Sequence, residues 1–186
     1  LPRRAKRATM PAGPPSRRLM LQITHATTTE ELETLRTLLR EFGAQLASID
    51  ERTRLEEELA SLPGVYAAPA GRLLIASDAS GPVGCAALMP HEKLGCELRG
   101  LYVRPSARGK GVARRLALTA IETARAIGYR QMLLETLPDQ AEAHALYRSL
   151  GFQAERRAPA RVGWKAPAEG DGPMHFWLDL SGPGIR

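Results

Sequence analysis

The sequence lacks the features that define several common protein classes. It has only two cysteines, Cys85 and Cys96, in 186 residues, too few for a disulfide-stapled scaffold. No apolar run approaches the roughly 20 residues that a membrane-spanning helix needs. The basic N-terminal segment has no apolar core of the kind a secretory signal requires. We therefore expect a cytoplasmic protein without a membrane partner.

Metal-binding and hydrolase patterns are also missing. The histidines are far apart and show no ligand spacing such as H-x-x-x-H, so no metal is predicted; they are His25, His91, His144 and His175. No Ser-His-Asp or Cys-His arrangement is recognisable, which leaves hydrolase chemistry without support.

The positive charge is concentrated at one end of the chain. The net charge is +6, and the first 20 residues contain six bases and no acid, so charges balance over the rest. Residues 1–18 are rich in proline and lack apolar periodicity, which predicts a disordered basic leader; Met10 and Met20 are both candidate starts. Such an arm could contact nucleic acid, but we do not expect a nucleic-acid partner. Residues 19–182 are expected to form a single domain.

Hydrophobic periodicity and turn residues divide this domain into alternating strands and helices. The predicted strands are 19–24, 72–77, 82–89, 96–103, 131–136, one beginning at Phe152, and 174–180. The predicted helices run from the threonines at 27–29 to Gly43, from a cap at Asp50 to Leu62, from Gly111 to Ile127, and from Pro138 to Leu150. The unit 96–136 reads as strand, helix, strand, and its crossover is long enough for parallel pairing.

Two details concern the strand at 96–103. The core-facing positions Leu98 and Leu101 are three residues apart, so a β-bulge near Arg99-Gly100 is expected. A hairpin turning at 91–94 would place Cys85 opposite residue 100. Cys96 would then lie roughly 13 Å from Cys85, too far for a disulfide, and two buried free thiols are expected.

The most informative segment is Arg108-Gly109-Lys110-Gly111-Val112-Ala113. Two glycines let backbone amides approach a ligand, and the following helix presents free N–H groups and a positive dipole end. This combination suits a pyrophosphate. Gly111 stands where a Walker A loop needs Ser or Thr, and Arg114 where a dinucleotide-binding motif needs Gly or Ala, so neither class is supported.

The segment fits R-x-x-G-x-A and resembles the hallmark of the GCN5-related N-acetyltransferases (GNAT), (Q/R)-x-x-G-x-(G/A). The stretches ELRGLYVRPSARGKGVARRL, ARAIGY and AHALYRSLGF resemble the family in order and spacing. The resemblance implies an α/β fold of the α+β type. It has a mixed, mostly antiparallel central sheet, a bulged and splayed strand pair, and helices on both faces. It also implies acetyl-CoA as co-substrate.

The resemblance assigns candidate site residues. It implies that the loop amides, mapped onto Arg108, Gly109, Lys110, Gly111, Val112, Ala113 and Arg114, hold the pyrophosphate. The pantetheine arm would pair with the bulged strand at Leu101, Tyr102 and Val103. Gln140 stands where relatives often have an asparagine that contacts the coenzyme.

Glu97 and Tyr147 are the candidate catalytic residues that the resemblance implies. Glu97 would act as general base, and Tyr147 would protonate the coenzyme sulfur. As alternatives, Glu97 is an exposed strand carboxylate paired with Arg99, and Tyr147 packs in the core. An amide freed by the bulge could stabilise the oxyanion.

The expected activity is direct acetyl transfer to a primary amine of an unidentified small molecule or peptide. The alternative is a coenzyme A-binding regulatory module without transfer. The acceptor is expected against the first two helices, the 63–71 loop and residues 156–173, with Trp164 and Trp177 as further lining candidates. A homodimer is left open.

Overall fold

The computed structural model describes residues 21–46, 48–91, 95–155 and 174–182. The strands are β1 Gln22–His25, β2 Arg72–Asp78, β3 Gly81–His91, β4 Gly95–Val103, β5 Gln131–Thr136, β6 Gln153–Glu155 and β7 Met174–Asp179. The helices are α1 Thr29–Gly43, α2 Ile49–Ala60, α3 Val112–Ile127 and α4 Ala141–Ser149. The predicted leader at 1–18 and the predicted acceptor loop at 156–173, with Trp164, lie outside the described residues.

The seven strands form one sheet in the order β1-β2-β3-β4-β5-β7-β6. Its only parallel pairing among the described residues joins β4 to β5, on either side of the α3 crossover; the other neighbours are antiparallel. The predicted mixed, mostly antiparallel fold is therefore confirmed.

Helices cover both faces of the sheet. On one face, α1 and α2 pack through Leu35, Leu38 and Leu59 against residues of β2 and β3. On the other face, α3 packs through Leu116 and Ile121 into a second core, which continues through β5, α4 and β7. No helix within the described ranges is long and apolar enough to cross a membrane.

Local capping explains where the first two helices begin. Thr28 and Glu31 form a reciprocal capping box at α1: Glu31 N–H donates to Thr28 Oγ1 at 3.2 Å, and Thr28 N–H donates to Glu31 Oε2 at 2.9 Å. Ser48, not the predicted Asp50, caps α2 by accepting from the Glu51 amide. Asp50 instead lies in the first turn, where its carboxylate faces the positive end of the helix dipole.

The start of α4 also differs from the prediction. The helix begins at Ala141 rather than at Pro138, because Leu137 to Gln140 close a turn first (Gln140 N–H to Leu137 O, 3.2 Å). Gln140 has φ −86° and ψ 63°, a conformation that is not helical, so the regular helix can start only after it.

The bulge in β4 is confirmed and changes the predicted register of the hairpin. Ala87 pairs with Arg99 but Cys85 pairs with Tyr102, so one extra residue lies in β4 between the two pairs. Gly100, at φ 57°, has a conformation that L-residues with a side chain rarely adopt. Cys85 thus faces Tyr102 rather than residue 100, and both cysteines are free and buried, as predicted.

Candidate active site

A cleft opens where β4 and β5 separate. The two strands pair only at Gly95↔Gln131, Cys96↔Met132 and Glu97↔Leu133, although β4 continues to Val103 and β5 to Thr136. Beyond Glu97 the β4 edge that faces β5 therefore has no strand partner within the described part of the chain. The main-chain groups at this edge are available to an extended ligand.

The cleft has a volume of about 340 Å³ and takes residues from five elements and their connections. Its lining consists of Phe42, Leu46, Glu51, Arg54, Leu55, Glu58, Glu97, Leu98, Arg99, Gly100, Leu101, Glu135, Thr136, Leu137, Gln140 and Tyr147. Four of the predicted site residues meet here: Glu97, Leu101, Gln140 and Tyr147. The other predicted positions, 102–103 and 108–114, lie outside this lining.

Glu97 lies in the cleft, with 18% of its side chain exposed. Burial raises the pKa of its carboxyl; the Glu135 and Glu58 carboxylates raise that pKa further, while Arg99 and His91 lower it. Arg99 Nε lies 3.6 Å and His91 Nδ1 4.0 Å from its carboxylate oxygens. A carboxyl with a raised pKa beside a substrate-sized cleft has the properties of a general base.

Tyr147 is 7% exposed and packs on Phe152 and Phe176, with ring centroids 5.7 and 5.9 Å away. Burial raises its pKa to about 12, so the hydroxyl keeps its proton at neutral pH. Tyr147 therefore both packs in the core and lines the cleft. Gln140 accepts a hydrogen bond from Thr136 Oγ1 at 2.7 Å through its side-chain oxygen, which fixes its amide at the cleft edge.

The loop before α3 presents free amides. Gly109 and Gly111 have φ 71° and 78°, and Gly111 caps α3 with no side-chain hydrogen bond to the helix. A Cβ at either glycine would meet no atom within 4 Å. The glycines are therefore required by the left-handed backbone rather than by crowding. The first amides of α3 have no intrahelical acceptor, and free amides at a helix N-terminus suit an anion.

The basic side chains of this loop form hydrogen bonds with neighbouring residues of the protein. Arg108 turns back: its Nε donates to the Val103 carbonyl at 3.0 Å and its Nη2 to Gln45 Oε1 at 3.3 Å. Lys110 donates to Ser106 O, and Arg114 donates to Ser149 Oγ. The positive charges remain near the amides, so the residues present suit a diphosphate.

The positions 102 and 103 are held by the protein rather than open. The Tyr102 side chain crosses to the α1 face and donates to Glu41 Oε2 at 3.3 Å, and Val103 is buried in the α3 core. Their side chains therefore do not enter the cleft, and only their main chain could meet a pantetheine arm.

An ion-pair clamp between α1 and the end of β4 was missed from the sequence. Glu41 accepts from Arg104 at 2.6, 2.9 and 3.2 Å, and Arg104 also donates to Pro82 O at 2.7 Å. The Arg104 hydrogen bonds hold the pKa of Glu41 below its usual range. Because Glu41 and Arg104 are 63 residues apart, no local pattern could reveal the pair.

The contribution of α2 to the cleft wall was only partly predicted. The sequence reading used α2 for its leucines, but Glu51, Arg54, Leu55 and Glu58 all line the cleft. Their spacing of i, i+3, i+4 and i+7 is that of one helix face, so the signal was present. Without the fold, however, a charged helix face reads as solvent-exposed.

Comparisons with known proteins agree with this geometry. The uncharacterized N-acetyltransferase YjgM of Escherichia coli is 36% identical over 146 residues, covering 77% of this chain and 84% of that protein. The uncharacterized N-acetyltransferase C1271.07c of Schizosaccharomyces pombe is 37% identical over 117 residues, or 62% of this chain and 69% of that protein.

Solved structures show the same fold. An acetyltransferase from Streptococcus agalactiae superposes with a TM-score of 0.69 at 21% identity, covering 86% of this chain and 98% of that one. The yncA protein of Salmonella typhimurium, solved with acetyl-CoA, superposes with a TM-score of 0.62 at 22% identity over 86% and 94% of the two chains. The sequence model of the Acetyltransferase (GNAT) family matches residues 32–152. The chain therefore belongs to the GNAT family and is an acetyl-CoA-dependent N-acetyltransferase.

Proposed function

We propose that this enzyme transfers the acetyl group directly to a primary amine bound in the cleft, without an acyl-enzyme. The observation that carries the proposal is that a desolvated carboxyl, Glu97, and a buried phenol, Tyr147, open into one cleft beside an unpaired strand edge.

The acceptor amine must first lose a proton. An alkyl ammonium with a pKa of about 10.4 is roughly 0.1% neutral at pH 7.4, a handicap of about 4 kcal/mol. Glu97, acting directly or through water, accepts this proton before the neutral nitrogen attacks the thioester carbonyl. The second proton leaves the nitrogen for solvent as the tetrahedral intermediate collapses. A carboxylate whose pKa is raised by burial is a stronger base than an ordinary carboxylate.

The thioester oxygen becomes an oxyanion when the C–N bond forms. Main-chain amides of β4 near the bulge at Gly100 are the proposed donors, because the bulge interrupts their pairing with β3 and positioned amides stabilise a developing oxyanion. The C–S bond then breaks, and the sulfur leaves as a thiolate.

Tyr147 is proposed to stabilise the departing sulfur. Its pKa of about 12 lies well above the thiol value of about 8.5, so complete proton transfer from the phenol is uphill. We therefore assign Tyr147 the role of hydrogen-bond donor to the thiolate, which takes its final proton from solvent. Products are the N-acetylated amine and coenzyme A.

The coenzyme is proposed to lie with its diphosphate on the amides of residues 108–114 and its pantetheine arm along Leu101 to Val103. Gln140 is proposed to contact the arm from α4. The open β4 edge, the positive φ values and the uncapped start of α3 support this placement.

Curated relatives do not select one acceptor for this chain. They include an L-methionine sulfoximine/L-methionine sulfone acetyltransferase of Pseudomonas aeruginosa (36% identical over 114 residues) and an IAA acetyltransferase of Azospirillum brasilense (40% over 87 residues). The proposed acceptor is therefore a primary amine of a small molecule or peptide.

We also propose a cytoplasmic location for the enzyme.

Calorimetry with coenzyme A tests the placement of the diphosphate. Gly111→Asp puts a carboxylate beside the phosphates, so we expect the Kd for coenzyme A to rise about tenfold or more. Gly128→Asp is the matched control, because Gly128 caps the other end of α3 at φ 103°. No heat with the wild-type chain, or equal losses in both variants, would contradict the proposal.

A further inference from the structure

The Arg99 guanidinium has unused hydrogen-bonding capacity in the cleft. Its Nη2 lies 3.8 Å from Glu58 and its Nε 3.6 Å from Glu97, both beyond hydrogen-bond range. Its hydrogen bond within the described residues goes to the Met89 sulfur at 3.9 Å. A guanidinium carries five N–H donors suited to a carboxylate. The donors of Arg99 therefore remain available to the carboxylate of a ligand.

Arg99 and Glu97 form a positive and negative pair of defined spacing. They are two residues apart on β4 and both line the cleft, as expected for residues on the same face of a strand. Their charged atoms are 3.6 Å apart. A ligand that pairs with both must therefore have its own positive and negative groups at a similarly short distance from each other. In an α-amino acid the carboxylate carbon is two bonds from the amine nitrogen.

The remaining lining indicates which side chain such a ligand carries. Phe42 from α1, Leu46 from the connection after it and Leu55 from α2 are apolar lining residues of the cleft. The charged groups of the cleft are four carboxylates, those of Glu51, Glu58, Glu97 and Glu135, and two guanidiniums, those of Arg54 and Arg99. This acidic excess disfavours a ligand with a second carboxylate.

We propose that the acceptor is a free α-amino acid with an apolar or weakly polar side chain. Its carboxylate pairs with Arg99, its amine lies against Glu97, and its side chain packs on Phe42, Leu46 and Leu55. The inference rests on the proposed function: the α-ammonium passes its proton to Glu97, the neutral amine forms the C–N bond and releases its second proton to solvent, and the C–S bond breaks. The product is an N-acetyl amino acid.

Thiol release from acetyl-CoA with matched acceptors tests this inference. Each of leucine, methionine and phenylalanine is compared with its amide and with the amine lacking the carboxyl group. We expect kcat/KM for at least one amino acid to exceed both of its partners by about tenfold or more, the size of a charge-assisted contact. The amide is the stricter comparison. Its α-amine has a lower pKa than the α-amine of the amino acid, so a larger fraction of it is neutral, and amine protonation alone would favour the amide.

Arg99→Gln is expected to reduce the preference for acid over amide towards one, mainly by raising KM for the amino acid. Arg40→Gln is the control: it removes the same charge from an exposed pair with Glu56 on the helix surface and is expected to keep the preference.

Equal or faster turnover of the amide or amine by the wild-type enzyme would overturn the inference, as would a preference that survives in Arg99→Gln. Failure of all the amino acids would overturn it too. Thiol release with other amines, such as a diamine or a peptide, would then show the transfer mechanism to be intact. The proposed function itself fails separately, if coenzyme A does not bind.

Discussion

At the scale of single residues, Glu97 combines a catalytic proposal with a cost to stability. Its raised pKa means that the folded state favours the protonated form. The stabilising contribution is therefore present below the unfolded-state pKa and is lost as the pH rises through the folded-state value. Above that value the ionised carboxylate destabilises the folded state.

Glu97→Gln should consequently lower activity and raise stability together. We expect kcat to fall about a hundredfold or more, as for loss of a general base, and the acid limb of the kcat/KM profile, lying above the usual carboxyl range, to disappear. The melting temperature should exceed that of the wild type at pH 7 and approach it near pH 4. An unchanged acid limb in the variant would rule out Glu97 as the base.

Tyr147 offers a test in which packing is preserved. Tyr147→Phe keeps the ring against Phe152 and Phe176 and removes only the hydroxyl. We expect kcat to fall about tenfold to a hundredfold, the range for a hydrogen bond to a charged group, while the Kd for coenzyme A changes less than about threefold. A loss confined to KM would show that the hydroxyl serves binding rather than the leaving sulfur.

At the scale of elements, the end of α1 contacts both the loop before α3 and the cleft. Glu41 and Gln45 hold Arg104 and Arg108, which flank the turn leading to the phosphate loop. Phe42, in the last turn of α1, and Leu46, just after the helix, line the cleft. The end of α1 and the turn that follows it therefore hold the loop proposed to bind the coenzyme and contribute to the cleft wall proposed to face the acceptor.

Glu41→Gln should weaken this positioning without touching the reacting atoms. We expect KM for acetyl-CoA to rise about threefold to tenfold, within the range of a partly exposed ion pair, with kcat changed less. Glu56→Gln, which breaks the exposed pair with Arg40, is the control and should leave KM unchanged. Glu41→Asp should recover part of the loss, and equal effects of Glu41→Gln and Glu56→Gln would refute a specific role for the clamp.

The elements were predictable where local chemistry decides them. Strand β5 and the helix α3 between its two glycines follow from apolar periodicity and from the left-handed cap at Gly128. The bulge was visible because Leu98 and Leu101 break alternation. The cap of α2 was misassigned because Ser48 and Asp50 are equally good caps by residue type, and only the chain path distinguishes them.

The candidate site could be proposed from the sequence where a single segment contains its residues. The loop at 108–114 is recognisable in the sequence from its glycines and from the helix that begins there. The cleft depends instead on α2, β4 and β5 meeting, and the clamp joins residues far apart in sequence. Long-range pairing of this kind is set by packing and leaves no local pattern, so Glu41 and Arg104 escaped prediction.

At the scale of the whole molecule, the sheet has two halves joined by a short seam. Helix α3 packs on β2, β3 and β4, whereas α4 packs on β6, and only three residue pairs connect β4 with β5. Glu97 lies on the first half and Tyr147, against Phe176 of β7, on the second. A ligand in the cleft therefore touches both halves at once.

Coenzyme A should stabilise the domain through this bridging. At about 100 times its Kd, a ligand that binds only the native state adds about 2.7 kcal/mol, and for a chain of this size we expect a melting-temperature rise of about 5–10 °C. The comparison ligand is 3′-phosphoadenosine 5′-diphosphate, which retains the phosphates but lacks the pantetheine arm. At equal concentration it should raise the melting temperature much less, because it reaches the loop before α3 but leaves the gap between β4 and β5 unfilled. Equal shifts from the two ligands would mean that the pantetheine arm does not occupy the gap, and the placement of the thioester between Glu97 and Tyr147 would have to be abandoned.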